Sequence, residues 1–207
     1  MTKQAKKDRE REDMRKMILE AANRTIAEEG IEKLSIRKIA QSMGYSAGII
    51  YHYFQGKEDI VEHLLQKGYQ EMVTGIRSVQ ALEPNESPEI LLKKSLQQFI
   101  MMALSEDSQY PVVMMNDSPA VLSQTSVLFK GAAQERKAIG MLVQCLNQFQ
   151  HMKDKEHSYI ELTAQIIWSS AFGLIMRLTV EKDLPQEQRE ALISHYLETM
   201  LVIVNQS

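Results

Sequence analysis

The stretch from Leu34 to Lys57, LSIRKIAQSMGYSAGIIYHYFQGK, leaves this chain few ways to fold. Ser35 stands where a helix N-cap belongs, just before Ile36–Met43, and its hydroxyl can accept from an otherwise unpaired backbone N–H. Gly44 stops that helix, because glycine enters the left-handed region without a Cβ clash. Ser46 is placed to cap a second helix, expected to run to about Tyr53. Two short helices around a tight glycine turn form a helix-turn-helix. Ile39, Ala40, Ile49, Ile50 and Phe54 fall on its inner side and are expected in the core. The outer side of the second helix shows Ser46, Ala47, Gly48, Tyr51, His52 and Tyr53. Small and hydrogen-bonding groups of this kind suit a helix lowered into a DNA major groove. Such corners also occur in many other globular proteins, so the geometry alone does not assign a role.

Apolar residues recur at helical spacing on both sides of this stretch. Met14, Ile18, Ala21, Ala22, Thr25 and Ile26 make one face of a helix expected over Glu12–Glu29, with residues 1–10 as a charged tail before it and Gly30 ending it. That tail is either an arm for a phosphate backbone or simply solvated. Gly56 breaks the chain ahead of a long helix from Lys57, lined by Ile60, Leu64, Gly68, Met72 and Ile76 and ending before Pro84. Pro88 suits a first helical turn, and Leu92, Leu96, Phe99 and Ile100 follow it. Asn116–Pro119, NDSP, is a helix start with Ser118 as cap. Pro119 to His151 is helical in pattern, with a bend or split at Lys130–Gly131, and Lys153–Ser158 is a charged loop. Tyr159–Thr179 and Pro185–Val204 close the chain as two helices. No strand pattern and no internal repeat competes. The expectation is an all-α chain of about nine helices.

A formal net charge of −3 conceals a division. Residues 1–60 hold 12 Lys and Arg against 10 Asp and Glu, whereas residues 61–207 hold 12 against 17. The basic excess lies with the helix-turn-helix and permits a local DNA-contacting surface. The single cysteine, Cys145, sits in a helical apolar pattern and reads as a structural thiol, so no internal disulfide is expected. The charged start lacks a signal-peptide core. The longest low-charge run, Ala164 to Met176, falls short of the ~20 residues that cross a bilayer. A cytoplasmic protein without a membrane partner is expected. There is no HExxH, no GxSxG and no Gly-rich phosphate loop. His52, His63, His151, His157 and His195 are scattered, and Glu161 is the only fair candidate for a carboxylate in an apolar setting. Neither catalytic residues, metal ligands nor a cofactor are expected, and the chain does not read as an enzyme.

Tyr159–Thr179 is apolar on most sides, so it must be buried on most sides. One small helical core covers one face, and a second copy can cover another. Ser169, Ser170, Ala171 and Gly173 would let a partner helix approach closely. Two such helices from each copy give a four-helix bundle across a two-fold axis, so a homodimer through the last two helices is expected. A central helix in a monomeric bundle is the competing reading.

With these features in place, the chain resembles the tetracycline-repressor (TetR) family of bacterial transcription regulators. The likeness covers Met14 to Leu64. It rests on the pair Ala21–Ala22, then Ile26 and Gly30, Ser35 opening helix two, Ile39–Ala40, the turn Gly44–Tyr45–Ser46, and Tyr51, Tyr53, Phe54 and Lys57. Ile26 stands where Phe is commoner in the family, and Leu34 where a small polar residue is common. The resemblance implies a three-helix DNA-binding domain over residues 1–56 and a helical ligand-binding and dimerisation domain over 57–207. It implies a repressor that binds a double-stranded DNA operator and responds to a small-molecule effector. Helix three would enter the major groove while its flanks grip phosphates. Lys57, at the start of helix four, and the hydroxyls of Tyr51 and Tyr53 would hold phosphates. Ser46, Ala47 and His52 are the base-edge candidates, and Gly48 lets the backbone come close. Ser35 is a cap whose neighbouring N–H groups can face a phosphate. Arg37 and Lys38 lie in the first turn of helix two, where cations oppose the helix dipole. DNA contact or plain solvation would each account for them, with Arg37 able to reach a base. A helical protein–protein interaction module without sequence-specific DNA binding is the alternative.

Residues 80–180 are rich in methionine, which adapts to irregular apolar spaces. Met101, Met102, Met114, Phe129, Phe149, Trp168 and Phe172, with Gln144 as a polar group, are the candidate lining of an effector pocket; plain core packing explains the same residues. Trp168–Gly173, WSSAFG, is similar to the Trp-x-x-x-His-Gly signature of one C-terminal subfamily, with Phe172 in place of the histidine.

Overall fold

The computed structural model describes residues 3–82, 85–105, 108 and 119–206. Among them are ten α-helices, two short 3-10 turns and no strand. The helices are α1 Lys3–Glu29, α2 Ile36–Met43, α3 Ala47–Tyr51, α4 Lys57–Leu82 and α5 Pro88–Ala103. Then follow α6 Pro119–Thr125, α7 Ala132–Glu135, α8 Lys137–Leu146, α9 His157–Val180 and α10 Gln186–Gln206. The chain divides into two compact units, residues 1–69 with 112–125, and residues 70–111 with 126–207. The NDSP helix start expected around Ser118 lies outside the described residues.

In the first unit, α1 starts at Lys3 rather than Glu12, so the expected charged tail is helical. Its Lys, Arg and Glu side chains lose little rotamer freedom in a helix. The pairs Lys6–Glu10 and Lys16–Glu20, each at 3.9 Å, and a Gln4–Asp8 hydrogen bond of 3.0 Å join successive turns. Ile18, Ala21, Ala22, Thr25 and Ile26 are buried, and the Thr25 hydroxyl donates to the Ala21 carbonyl. Ser35 caps α2 by accepting from the Lys38 N–H. Gly44, at φ 72°, closes α2: its N–H donates to Gln41 O while the Tyr45 N–H reaches Ala40 O, a Schellman ending.

Two details differ from expectation. Ser46 occupies the N-cap position of α3 without a capping side-chain bond, and α3 ends at Tyr51 rather than Tyr53. The chain leaves α3 through tight turns in which Ile50 O accepts from both Tyr53 and Phe54. Ile50 and Phe54 are buried with Ile39 and Ala40, whereas Ile49 is only half-buried. A five-residue helix has room on its inner side for one fully buried isoleucine, and Ile50 takes it.

In the second unit, α5 packs against α8, α9 and α10, and α8 packs against α9. Ser87 caps α5 ahead of Pro88. Leu92, Phe99, Ile100, Ile139, Leu146, Ile167, Ala171, Ile175, Leu197 and Val204 form much of its interior. The long helical pattern expected from Pro119 to His151 is broken at Ser126, and Gly131 takes φ 90°. The reason is distant in sequence. Glu161, 5% exposed on α9, accepts from the N–H groups of Gly131 (3.0 Å) and Ala133 (2.8 Å). One turn on, Gln165 donates to the carbonyls of Val127 and Phe129. Arg136 donates to Ser126 O and lies over the Phe129 ring. Packing is tight here, since a Cβ on Gly140 would lie 2.5 Å from Ala133 O.

These bonds also settle the position of α9. It runs over 24 residues, longer than the low-charge run suggests, and is the one described helix that matches a membrane span by length and composition. Its buried Glu161 and Gln165 bind backbone of the same unit, and Trp168, Ala171 and Ile175 fill the core. One side of it is buried in the second unit, while Leu162, Ile166 and Val180 remain exposed on the other.

Candidate nucleic-acid interface and effector cavity

The head presents a small polar surface on a rigid support. Ser46, Gly48 and His52 are exposed, and Tyr51 leaves 58% of its surface in solvent. Ala47 and Tyr53 are half-buried and pack against the head core. Arg37 is exposed on α2, Ser35 is a half-buried cap, and Lys57 is half-buried at the start of α4. Lys38 has a partner within the chain: its Nζ lies 2.5 Å from the Glu29 carboxylate at the end of α1. That bond holds the Glu29 carboxyl below its ordinary value. The cation in the first turn of α2 thus has a structural account at Lys38 and none at Arg37. Gly48 is not forced by the fold, because a Cβ there would meet only Ser46 Oγ, at 3.8 Å. Tyr45, 39% exposed in the turn, adds an aromatic ring to this surface that the sequence pattern did not single out.

Beneath α3 lies a network with no sequence signal. Arg15 of α1 donates to the Tyr53 carbonyl and to His63 Nε2, both at 2.7 Å, and its guanidinium sits 4.5 Å from the Phe54 ring centroid. A donor at Nε2 makes that nitrogen an acceptor, so the proton sits on Nδ1 and points to Asp59, whose carbonyl is 2.8 Å away. The Asp59 carboxylate accepts from the Gln55 N–H. The α3–α4 junction is thereby tied to α1.

The second unit contains an apolar cavity. Ile76 of α4 contributes to it, with Leu92, Ser95, Leu96 and Phe99 of α5. Ala138, Met141, Leu142 and Cys145 of α8 and Trp168 of α9 complete the lining. Trp168 stacks on Phe99 with ring centroids 4.6 Å apart. Burial pushes the Cys145 thiol up to about 12, and its Sγ lies 3.8 Å from Pro88 O. Of the candidate pocket residues, Trp168 lines this cavity. Phe149 is buried elsewhere, Met102, Phe129 and Phe172 are half-buried outside the lining, and Met101 and Gln144 are exposed. Met114 lies outside the described residues. Arg177 is exposed and ion-paired with Glu181, while His151 bonds Val204 O. Glu161 is spent on backbone N–H groups, which hold its carboxyl below the ordinary range. Among the described residues no group of three or more His, Cys, Asp or Glu is placed to hold a metal.

Residues 18–64 match the sequence profile described as bacterial regulatory proteins, tetR family. An HTH-type transcriptional regulator of Staphylococcus aureus (strain USA300) is 30% identical over 79 residues, 38% of this chain and 40% of that protein. The match therefore spans well under half of that relative's length. Two solved structures share the fold. The regulator FadR from Bacillus subtilis, in complex with stearoyl-CoA, has a TM-score of 0.65 at 21% identity and covers 89% of this chain and 96% of its own. The TetR family regulator PfmR from Thermus thermophilus has a TM-score of 0.67 at 22% identity, with the same coverage. Over residues 18–64, with the capped α2 and its Schellman turn, the chain is similar to the tetR family of bacterial regulatory proteins.

Proposed function

We propose that the chain is a ligand-responsive transcriptional repressor, with residues 1–56 binding DNA and residues 57–207 binding effector and a second copy. The observation that carries this is the outer face of α3. Exposed hydrogen-bonding side chains and a bare glycine backbone stand on a helix anchored to the head core by the buried Ile50. In this reading Ser46, Ala47 and His52 meet base edges, and Tyr51, Tyr53 and Lys57 hold phosphates on either side, with Ser35 and Arg37 contributing from α2. Gly48 costs about 1 kcal/mol of helix propensity against alanine, and close approach to DNA gives that cost a purpose.

A homodimer is supported by an unpartnered stripe on α9. Leu162 is 61% exposed, Ile166 66% and Val180 64%, and Gly173 between them has no atom within 4 Å of an added Cβ. Val202 and Ile203 of α10 are also exposed. A two-fold pair would set two α3 helices one DNA turn apart, ~34–36 Å, on a palindromic operator. An apolar or amphipathic small molecule in the second unit would then act through α4, which has residues in both units. A tilt of α4 would alter the head spacing and weaken DNA binding by a coupling of ~1–3 kcal/mol. That a solved protein of this fold is described with stearoyl-CoA supports a small-molecule effector.

Binding titrations against specific and scrambled duplexes at several salt concentrations test the assignment. Lys57→Ala should weaken binding to both duplexes alike and reduce the salt dependence. His52→Ala should instead change sequence preference. The reverse pattern refutes the roles, and no preference in the parent protein favours an interaction module.

A further inference from the structure

We infer that the effector is a neutral molecule: an apolar body carrying one hydrogen-bonding group, such as a hydroxyl or carbonyl, that pairs with Ser95. The inference rests on the reading of the second-unit cavity as the effector site and adds the chemical class. No lining residue carries a charge. Cys145, the one ionisable group among them, keeps its proton because burial pushes it to about 12. A carboxylate or ammonium placed inside would lose its hydration without a counter-charge, and transfer of an unpaired ion into such surroundings is strongly unfavourable. The lining holds one side-chain hydroxyl, that of Ser95, beside the Trp168 indole N–H and a Cys145 thiol already directed at Pro88 O. The Ser95 Oγ is sealed from solvent and has no hydrogen-bond partner. Buried hydroxyls are normally paired, and a serine within a helix can bond a carbonyl one turn back. Ser95 does neither, so one ligand donor or acceptor beside it satisfies a group that the fold leaves unmet.

The cavity is small, about 30 Å³, enough for a water or two. An effector therefore enters by displacing side chains. Met141, unbranched and adaptable, and the parallel Phe99–Trp168 stack are the lining elements able to shift around an inserted body.

Trp168 is the only tryptophan of the chain, so its fluorescence reports the cavity directly. The test titrates the full chain with straight-chain alcohols of increasing length, and with the carboxylates and primary amines of the same lengths. Saturable Trp168 responses to the alcohols are expected, with carboxylates and amines at least about 100-fold weaker. Ser95→Ala should weaken alcohol binding about 10-fold, the value of one buried hydrogen bond. Ala138→Leu, which fills the cavity, should abolish the response while a thermal melt shows the protein folded. Carboxylates or amines that bind as tightly as alcohols overturn the neutral class but leave the cavity as the effector site. Alcohol binding unchanged in Ser95→Ala overturns the pairing alone. No response to any probe, or a response that survives Ala138→Leu, overturns both this inference and the cavity reading.

Discussion

Helices α3 and α9 use polar side chains in opposite ways. On α9, Glu161 and Gln165 turn inward, and each makes two bonds to backbone of the preceding segment. On α3 and its flanks, Ser46, Tyr51 and His52 face solvent, and among the described residues no side-chain hydrogen bond ties them to the chain. Both helices carry polar side chains among apolar ones. One set is consumed by the fold, while the other is held out by it. Side chains available for recognition are those a structure supports without using, and by that criterion Glu161 and Gln165 are architectural while the head's polar face stays free for the recognition proposed above.

The contrast can be broken most forcefully at Glu161. Glu161→Ala strands two part-buried N–H groups, and with solvent able to meet part of their need a loss of about 1–3 kcal/mol in all is expected in chemical denaturation. The pH dependence has a definite sign. The Glu161 carboxyl is held below its ordinary value of 4.5, chiefly by the Ala133 and Gly131 N–H groups. Its stabilisation is thus complete above that value and lost as pH falls below it through the lowered folded value. Glu161→Gln should be less stable at neutral pH and lose less on acidification. Equal acid sensitivity in the two proteins would mean that the carboxylate is not consumed as described.

At Gly48 stability and function should move apart. Gly48→Ala finds no close contact within the chain and gains up to about 1 kcal/mol of helix propensity. The same methyl should weaken operator binding, measured by fluorescence anisotropy, if backbone approaches DNA there. A variant both more stable and equally tight would remove Gly48 from the interface. The smallest stability change belongs to Tyr51→Phe, within about 0.5 kcal/mol for an exposed site. Loss of one hydroxyl contact should still reduce DNA affinity about 5- to 10-fold. A large stability loss would place Tyr51 among the consumed groups.

Much of the head was legible because its determinants are local. The Ser35 cap, the positive φ of Gly44 and the buried Ile39, Ala40 and Ile50 all lie within a few residues of the bonds they make. Errors came where a local rule lost to something else. Ser46 looks like a cap and makes no capping bond, and the charged start is helical because i,i+4 pairs favour helix over a loose tail. The split expected at Lys130–Gly131 falls inside the observed break, but its start after Thr125 was not legible, since its cause is Glu161, Gln165 and Arg136 acting from elsewhere in the chain. The same holds for the tie from Arg15 to Tyr53 and His63, 38 and 48 residues away. In the body, methionine content pointed to adaptable apolar space but not to its walls. Of the expected lining Trp168 is there, and Ser95 could be found only from its unmet hydroxyl.

The central claim, that α3 reads DNA sequence as part of a two-fold assembly, is tested most directly by selecting duplexes from a random pool with the purified chain and footprinting the enriched sequence. The account predicts a motif with two-fold symmetry, half-sites about one helical turn apart, and protection lost in a His52 and Tyr51 double substitution. Absence of enrichment at low salt, or an enriched motif that the double substitution binds equally well, would contradict it.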